Sequence, residues 1–260
     1  MNTTYPPITH PKAPSKLLFL GEGRSLFELG AGLALSGLVH KFSPRGAGQP
    51  VLVLPGLGAS DLSTKLLRVF LNDLGFVTYG WELGMNRGFN ENTLDQVSYR
   101  LDNIYSQHQK SVSIVGHSLG GIFAREVAKR KPENIRQVIT LGSPFTGNIE
   151  ATNAQLAYEI LSGQKIDEKV KNMMQTLSQK PPVPTTSVFS KFDGIVSWEC
   201  SIEKDKNLGE NIEIIGVSHI GMTSSPQSLY LIAERLSQSE KSWRPFDPIG
   251  IYKTFYKKID

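Results

Sequence analysis

The chain has 260 residues, 39% of them hydrophobic and 20% charged, with a formal net charge of +4. These proportions exclude a disordered chain, a fibrous repeat and a polytopic membrane protein, and the length allows one large domain or two small ones with a full core. The basic residues are scattered, with small groups at Lys129, Arg130, Lys131 and at Lys257, Lys258; they read as solvated surface, and no nucleic-acid partner is expected.

The N-terminal stretch Met1 to Lys16 is rich in Pro and Thr and has no apolar core. It does not read as a secretory signal, and a cytoplasmic location is expected. Leu26 to Val39 is the most apolar run, interrupted by Glu28. It is too short to span a bilayer and reads as a packed helix, with a helix lying on a membrane surface as the runner-up. The single cysteine, Cys200, excludes a disulfide framework and a cysteine zinc site. Five scattered histidines show no ligand spacing, so neither metal nor cofactor is expected.

A Pro- and Gly-rich loop, Phe42 to Pro50, leads to the apolar run Val51 to Leu54, read as a strand buried on both faces. Ser60 or Asp61 can cap a helix carrying Leu66, Leu67, Phe70 and Leu74, which Gly75 stops. Phe76 to Tyr79 is the second expected strand, followed by a Gly- and Asn-rich loop to Asn92. Leu94, Val97, Leu101 and Ile104 mark a helix. Val112 to Val115 reads as a strand, Ile122 to Lys129 as a helix and Gln137 to Leu141 as a strand. This alternation predicts an α/β fold: a mostly parallel sheet with helices on both faces. Ile149 to Gln179 carries only helical patterns and is expected to form a small cap. Strands resume at Thr185 to Phe189 and Ile212 to Ile215, and a last helix covers Leu229 to Leu236. The expected organisation is an arm and helix over residues 1–49 packed on a domain of residues 50–260, with the cap at about 149–180.

The strongest chemical signal is Gly116, His117, Ser118, Leu119, Gly120, which follows a strand and opens a helix. This is the G-x-S-x-G nucleophile elbow: glycines flank a serine held in a strained turn above the sheet. A serine needs a base. His10, His40 and His108 lie before the elbow, and His117 sits inside it with its side chain expected to point away, which leaves His219, after the strand Ile212 to Ile215. The orienting acid should lie between them, just after a strand. Asp193, followed by Gly194, fits; Glu199 is the runner-up, and Asp167 falls inside the cap. The oxyanion hole needs two backbone N–H donors. Leu119 supplies one and the loop Pro55, Gly56, Leu57, Gly58 the other, assigned to Leu57.

Over Pro50 to Leu236 these motifs resemble the α/β-hydrolase superfamily, in its bacterial lipase and esterase branch. The resemblance implies the α/β-hydrolase fold, the chain order nucleophile–acid–base, and a two-step acyl-enzyme mechanism. Many lipases carry His-Gly at the oxyanion loop where this chain has Pro55 and Gly56, so Leu57 rests on alignment of the glycine. The string Tyr79 to Asn86 also looks like a segment of uncharacterised bacterial lipase-like hydrolases, and reads either as a wall of the site or as a structural turn anchored by Trp81. Phe145, Trp198 and Met222 are the expected substrate-binding walls. The reading is a serine esterase or lipase acting on a small-molecule or lipid ester. The alternatives are an acyltransferase, thioesterase or amidase on the same residues, and more remotely a non-catalytic binding protein. Peripheral membrane contact through the N-terminal helix or the run Trp243 to Tyr256 is the further partner considered.

Overall fold

The structure is a computed structural model that describes residues 11–146, 153, 176–239, 242–248 and 250–259. The expected cap falls almost wholly outside them, and with it Leu156, Ile160, Asp167, Met173 and Met174. Leu177, which is described, is buried in the core.

The sheet has seven strands: β1 (Pro50–Leu54), β2 (Val77–Gly80), β3 (Val112–His117), β4 (Ile135–Leu141), β5 (Thr185–Phe189), β6 (Gly209–Ile214) and β7 (Tyr256–Ile259). They lie in the order β2-β1-β3-β4-β5-β6-β7. The first six are parallel; β7 runs antiparallel on β6. β1 shows why a continuous apolar run was needed: Val51 and Val53 face one layer of the core while Leu52 and Leu54 face the other. The first layer is closed by α3 (Lys65–Asp73) and α6 (Pro226–Ser237), the second by α4 (Glu91–His108) and α5 (Leu119–Arg130). Asn90 caps α4, accepting from Thr93 N at 2.9 Å, and Leu94, Val97, Leu101 and Ile104 form its buried face.

Three differences from expectation have physical causes. β6 begins at Gly209 rather than Ile212 because its polar start is internally satisfied: Glu210 pairs with buried Arg235 at 2.8 Å, and Asn211 bonds the backbone of Glu203. The C-terminal run is in part docked rather than free: Phe246 and Tyr256 are buried, and Tyr256 opens β7. The N-terminal segment forms α1 (Lys16–Leu20), a 3-10 turn at Gly21–Arg24, and α2 (Ser25–Phe42). Only Gly32 of α2 is buried, whereas Leu26 and Phe27 are 75% and 82% exposed. α2 therefore rests on the domain along a narrow line and turns much of its apolar surface outward. Among the described residues no helix is long and apolar enough to cross a membrane.

Candidate active site

Ser118 stands between β3 and α5 with φ 52° and ψ −121°, a conformation that costs a non-glycine residue roughly 1–3 kcal/mol. The flanking glycines make the turn sterically possible. A Cβ on Gly116 would overlap the backbone of Gly120, and one on Gly120 would overlap the Leu54 carbonyl. The turn is pinned by Ser118 N donating to Leu141 O at 2.8 Å. Ser118 is half-buried and lines a cavity of about 790 Å³.

Asp193 lies on the loop after β5, and His219 on the loop after β6. His219 Nδ1 donates to Asp193 Oδ2 at 2.6 Å. The other carboxylate oxygen accepts from Ile195 N at 2.8 Å and Val196 N at 2.7 Å, so the turn after Asp193 orients the acid. The Asp193 contact fixes the His219 tautomer and leaves Nε2 as the ring's basic nitrogen. Burial disfavours a charged His219, but the Asp193 carboxylate and then Glu22 outweigh that penalty and hold its pKa above the usual histidine value. Glu199, the runner-up acid, instead accepts from the Ser197 hydroxyl.

His117 does not point away. Its Nε2 donates to the His219 carbonyl at 2.9 Å, its ring stands 4.8 Å from the His219 ring, and it lines the same cavity. Burial and the neighbouring His219 lower its pKa to about 3, so it is neutral and serves as a fixed hydrogen-bond donor.

Leu57 lies in the cavity wall beside Ser118. Its loop is shaped by Asn86, a fully buried residue at the end of the Tyr79–Asn86 string. Asn86 Nδ2 donates to Pro55 O at 2.9 Å, Asn86 N donates to Ala59 O, and Asn86 O accepts from Gly58 N, both at 2.8 Å. The Asn86 Oδ1 accepts from Gly88 N at 3.2 Å. The Tyr79–Asn86 string is thus a structural turn that backs the Pro55–Gly58 loop. Trp81 is buried against Phe123, and Asp61 accepts from Trp81 N and Glu82 N at 2.9 and 3.0 Å instead of capping a helix. Leu119 is the first residue of α5, where N–H groups have no partner within the helix.

The three residues expected as walls pack elsewhere among the described residues. Phe145 is buried beneath the Arg125 guanidinium, 3.8 Å from the ring centroid. Met222 is buried in the core, and Trp198 stacks on Phe189 at 5.5 Å. None of the three is among the described residues lining the cavity. Being next to a strand end or a functional residue places a side chain near the site without fixing which way it faces. The wall is supplied by Leu29 and Leu33 of α2, Leu62, Leu66 and Val69 around α3, and Ile220 beside His219. The apolar spacing of residues 26–39 was the signal that could have found the first two.

Fold and site together define an α/β-hydrolase. The chain matches the family model for palmitoyl protein thioesterase over residues 50–192, more than half its length, and belongs to that family. The match includes Ser118 and ends one residue before Asp193. No curated protein matches the chain significantly. Among solved structures, Aspergillus fumigatus lipase B superposes with a TM-score of 0.59 at 18% identity, covering 75% of this chain and 53% of the lipase, so the chain spans about half of that enzyme. A mature Bacillus licheniformis lipase gives 0.55 at 17% identity, covering 76% and 95% of the two chains. A lipase-esterase related protein from Clostridium acetobutylicum gives 0.52 at 17%, covering 74% and 95%. The family places the chain among hydrolases, and the structural likenesses show the shared fold.

Asn86→Ala leaves the buried Pro55 carbonyl and Gly88 N–H without their side-chain partner. It should cost about 1–3 kcal/mol for each orphaned group in urea unfolding. Hydrolytic turnover, measured where the variant is still folded, should fall about tenfold or more. Lost stability with unchanged turnover would show that the loop carrying Leu57 does not depend on Asn86.

Proposed function

We propose that the protein is a serine hydrolase that cleaves carboxylic esters through an acyl-enzyme intermediate. The observation that carries this reading is the convergence on one cavity of Ser118, strained above the sheet edge, and His219, bound to Asp193 at 2.6 Å. Ser118 Oγ attacks the ester carbonyl carbon while His219 Nε2 takes its proton. The bond to the leaving oxygen then breaks, and the imidazolium returns the proton to the departing alcohol. Water, deprotonated by His219, repeats the attack on the acyl-enzyme and frees Ser118. Asp193 holds the ring and stabilises its charged form without itself taking the proton. The N–H groups of Leu57 and Leu119 are the donors to the oxyanion.

The leucine-lined cavity suits an acyl chain. The family match favours a thioester as the second substrate class, reached by the same steps with a thiol as leaving group. The outward surface of α1 and α2 supports a lipid source for such substrates. Leu17, Leu20, Leu26 and Phe27 are exposed, and Leu26 also lies on the cavity lining, so the surface runs directly into the pocket.

Ser118→Ala should lower kcat by roughly 10⁴–10⁶-fold on whichever of p-nitrophenyl esters or acyl thioesters of matched chain length is turned over best. Full activity in that variant would defeat the reading. Because the working base is neutral imidazole and its pKa is raised, kcat/KM should rise with pH through a midpoint above the ordinary histidine value of about 6.5. A midpoint below that value would contradict the assigned environment.

In co-sedimentation with neutral phospholipid vesicles, the full chain should pellet and the double variant Leu26→Glu, Phe27→Glu should remain in the supernatant. Equal pelleting of the two would remove the lipid-surface reading.

A further inference from the structure

Glu22 sits in the 3-10 turn between α1 and α2, and is only 6% exposed. Its Oε1 accepts from Gly194 N at 2.8 Å and from His219 N at 3.0 Å; its Oε2 accepts from Ile220 N at 3.1 Å. One carboxylate therefore holds both the residue after Asp193 and the backbone of His219 itself. Neighbouring side chains extend the grip. Arg24 Nη2 donates to Phe192 O at 2.6 Å, the residue before Asp193. Glu28 accepts from Ser218 N at 3.0 Å and from the Ser218 hydroxyl, and pairs with Arg24 at 3.3 Å. Gly194 is the residue the contact demands, since a Cβ there would overlap the Leu18 carbonyl of α1.

We propose that Glu22 is a positioning residue: by bridging the loop after β5 to the loop after β6, its carboxylate sets the geometry of the Asp193–His219 pair. The inference rests on the proposed roles of Ser118, Asp193 and His219. Its physical basis is that two loops leaving adjacent strands have no covalent reason to keep their side chains 2.6 Å apart. A buried acceptor shared by both backbones supplies that constraint, and its three donors satisfy it well enough to remain buried. The groups facing His219 are Asp193, Glu22 and the neutral His117; Arg24 and Glu28 stand behind, paired with each other. Neutralising Glu22 removes one of the two negative charges that favour the imidazolium.

The test uses full-length Glu22→Gln and Glu22→Asp beside wild type and Ser118→Ala, assayed on a soluble short-chain p-nitrophenyl ester across pH. In Glu22→Gln, kcat should fall about 10–100-fold with KM within about threefold, and the acid limb should move to lower pH. Glu22→Asp keeps the charge on a shorter arm; its limb should stay at the wild-type position, with kcat recovered in part but still below wild type. An unmoved limb in Glu22→Gln marks a merely structural residue and overturns the proposal. An unmoved kcat marks a bystander charge and equally overturns it. Should Glu22→Gln fail to fold, Glu22→Asp decides: reduced kcat on an unmoved limb supports the assignment, and wild-type kcat overturns it. Wild-type turnover in Ser118→Ala would instead defeat the underlying reading of the site, separately from any result at Glu22.

Discussion

A carboxylate and an imidazole in contact at 2.6 Å, both nearly sealed from water, make the demand that the surrounding structure meets. Burial penalises a charge on either partner, so the polar atoms around the pair, the basic Nε2 of His219 excepted, need hydrogen-bond partners. Asp193 achieves this through two N–H groups of its own turn, and the His219 carbonyl and N–H are taken up by His117 and Glu22. The parallel pairing of β5 with β6 brings the two loops to one edge of the sheet, where the turn after β3 also raises Ser118. Both arms of the site therefore reach back into the sheet.

What was legible in the sequence was what chemistry encodes locally. A strained serine needs small flanking residues within a few positions, so the motif around Ser118 shows itself. Asp193 and His219, which the structure brings into contact, stood out in the sequence, the first because a strand end followed by glycine is a local pattern and the second because no other histidine follows Ser118. Asn86, Glu22 and the role of His117 were not readable, since each acts on a backbone group far away in the chain. β7 escaped for a different reason: it is a four-residue edge strand whose exposed Lys257 and Lys258 look like ordinary surface. The polar start of β6 was missed because its Glu210 is paired with an arginine that lies 25 residues later.

The N-terminal helices carry two opposed chemistries. Glu22 and Glu28 turn inward to the loops carrying Asp193 and His219, while leucines and phenylalanines on the same segment face out or line the cavity. The glutamate that interrupts the apolar run Leu26 to Val39 is thus an anchor rather than a break in a packing face. This segment lies outside the span shared with the palmitoyl protein thioesterase family model, so this chain's own arm furnishes the support for the site and much of its pocket wall.

The central claim is that Ser118 is a nucleophile activated by His219 and Asp193. Peptide mapping by mass spectrometry after treatment of the native protein with a fluorophosphonate tests it most directly. A single adduct on the peptide containing Ser118, abolished by prior denaturation, is the predicted result; an unmodified Ser118, or an adduct on another serine in its place, would contradict it.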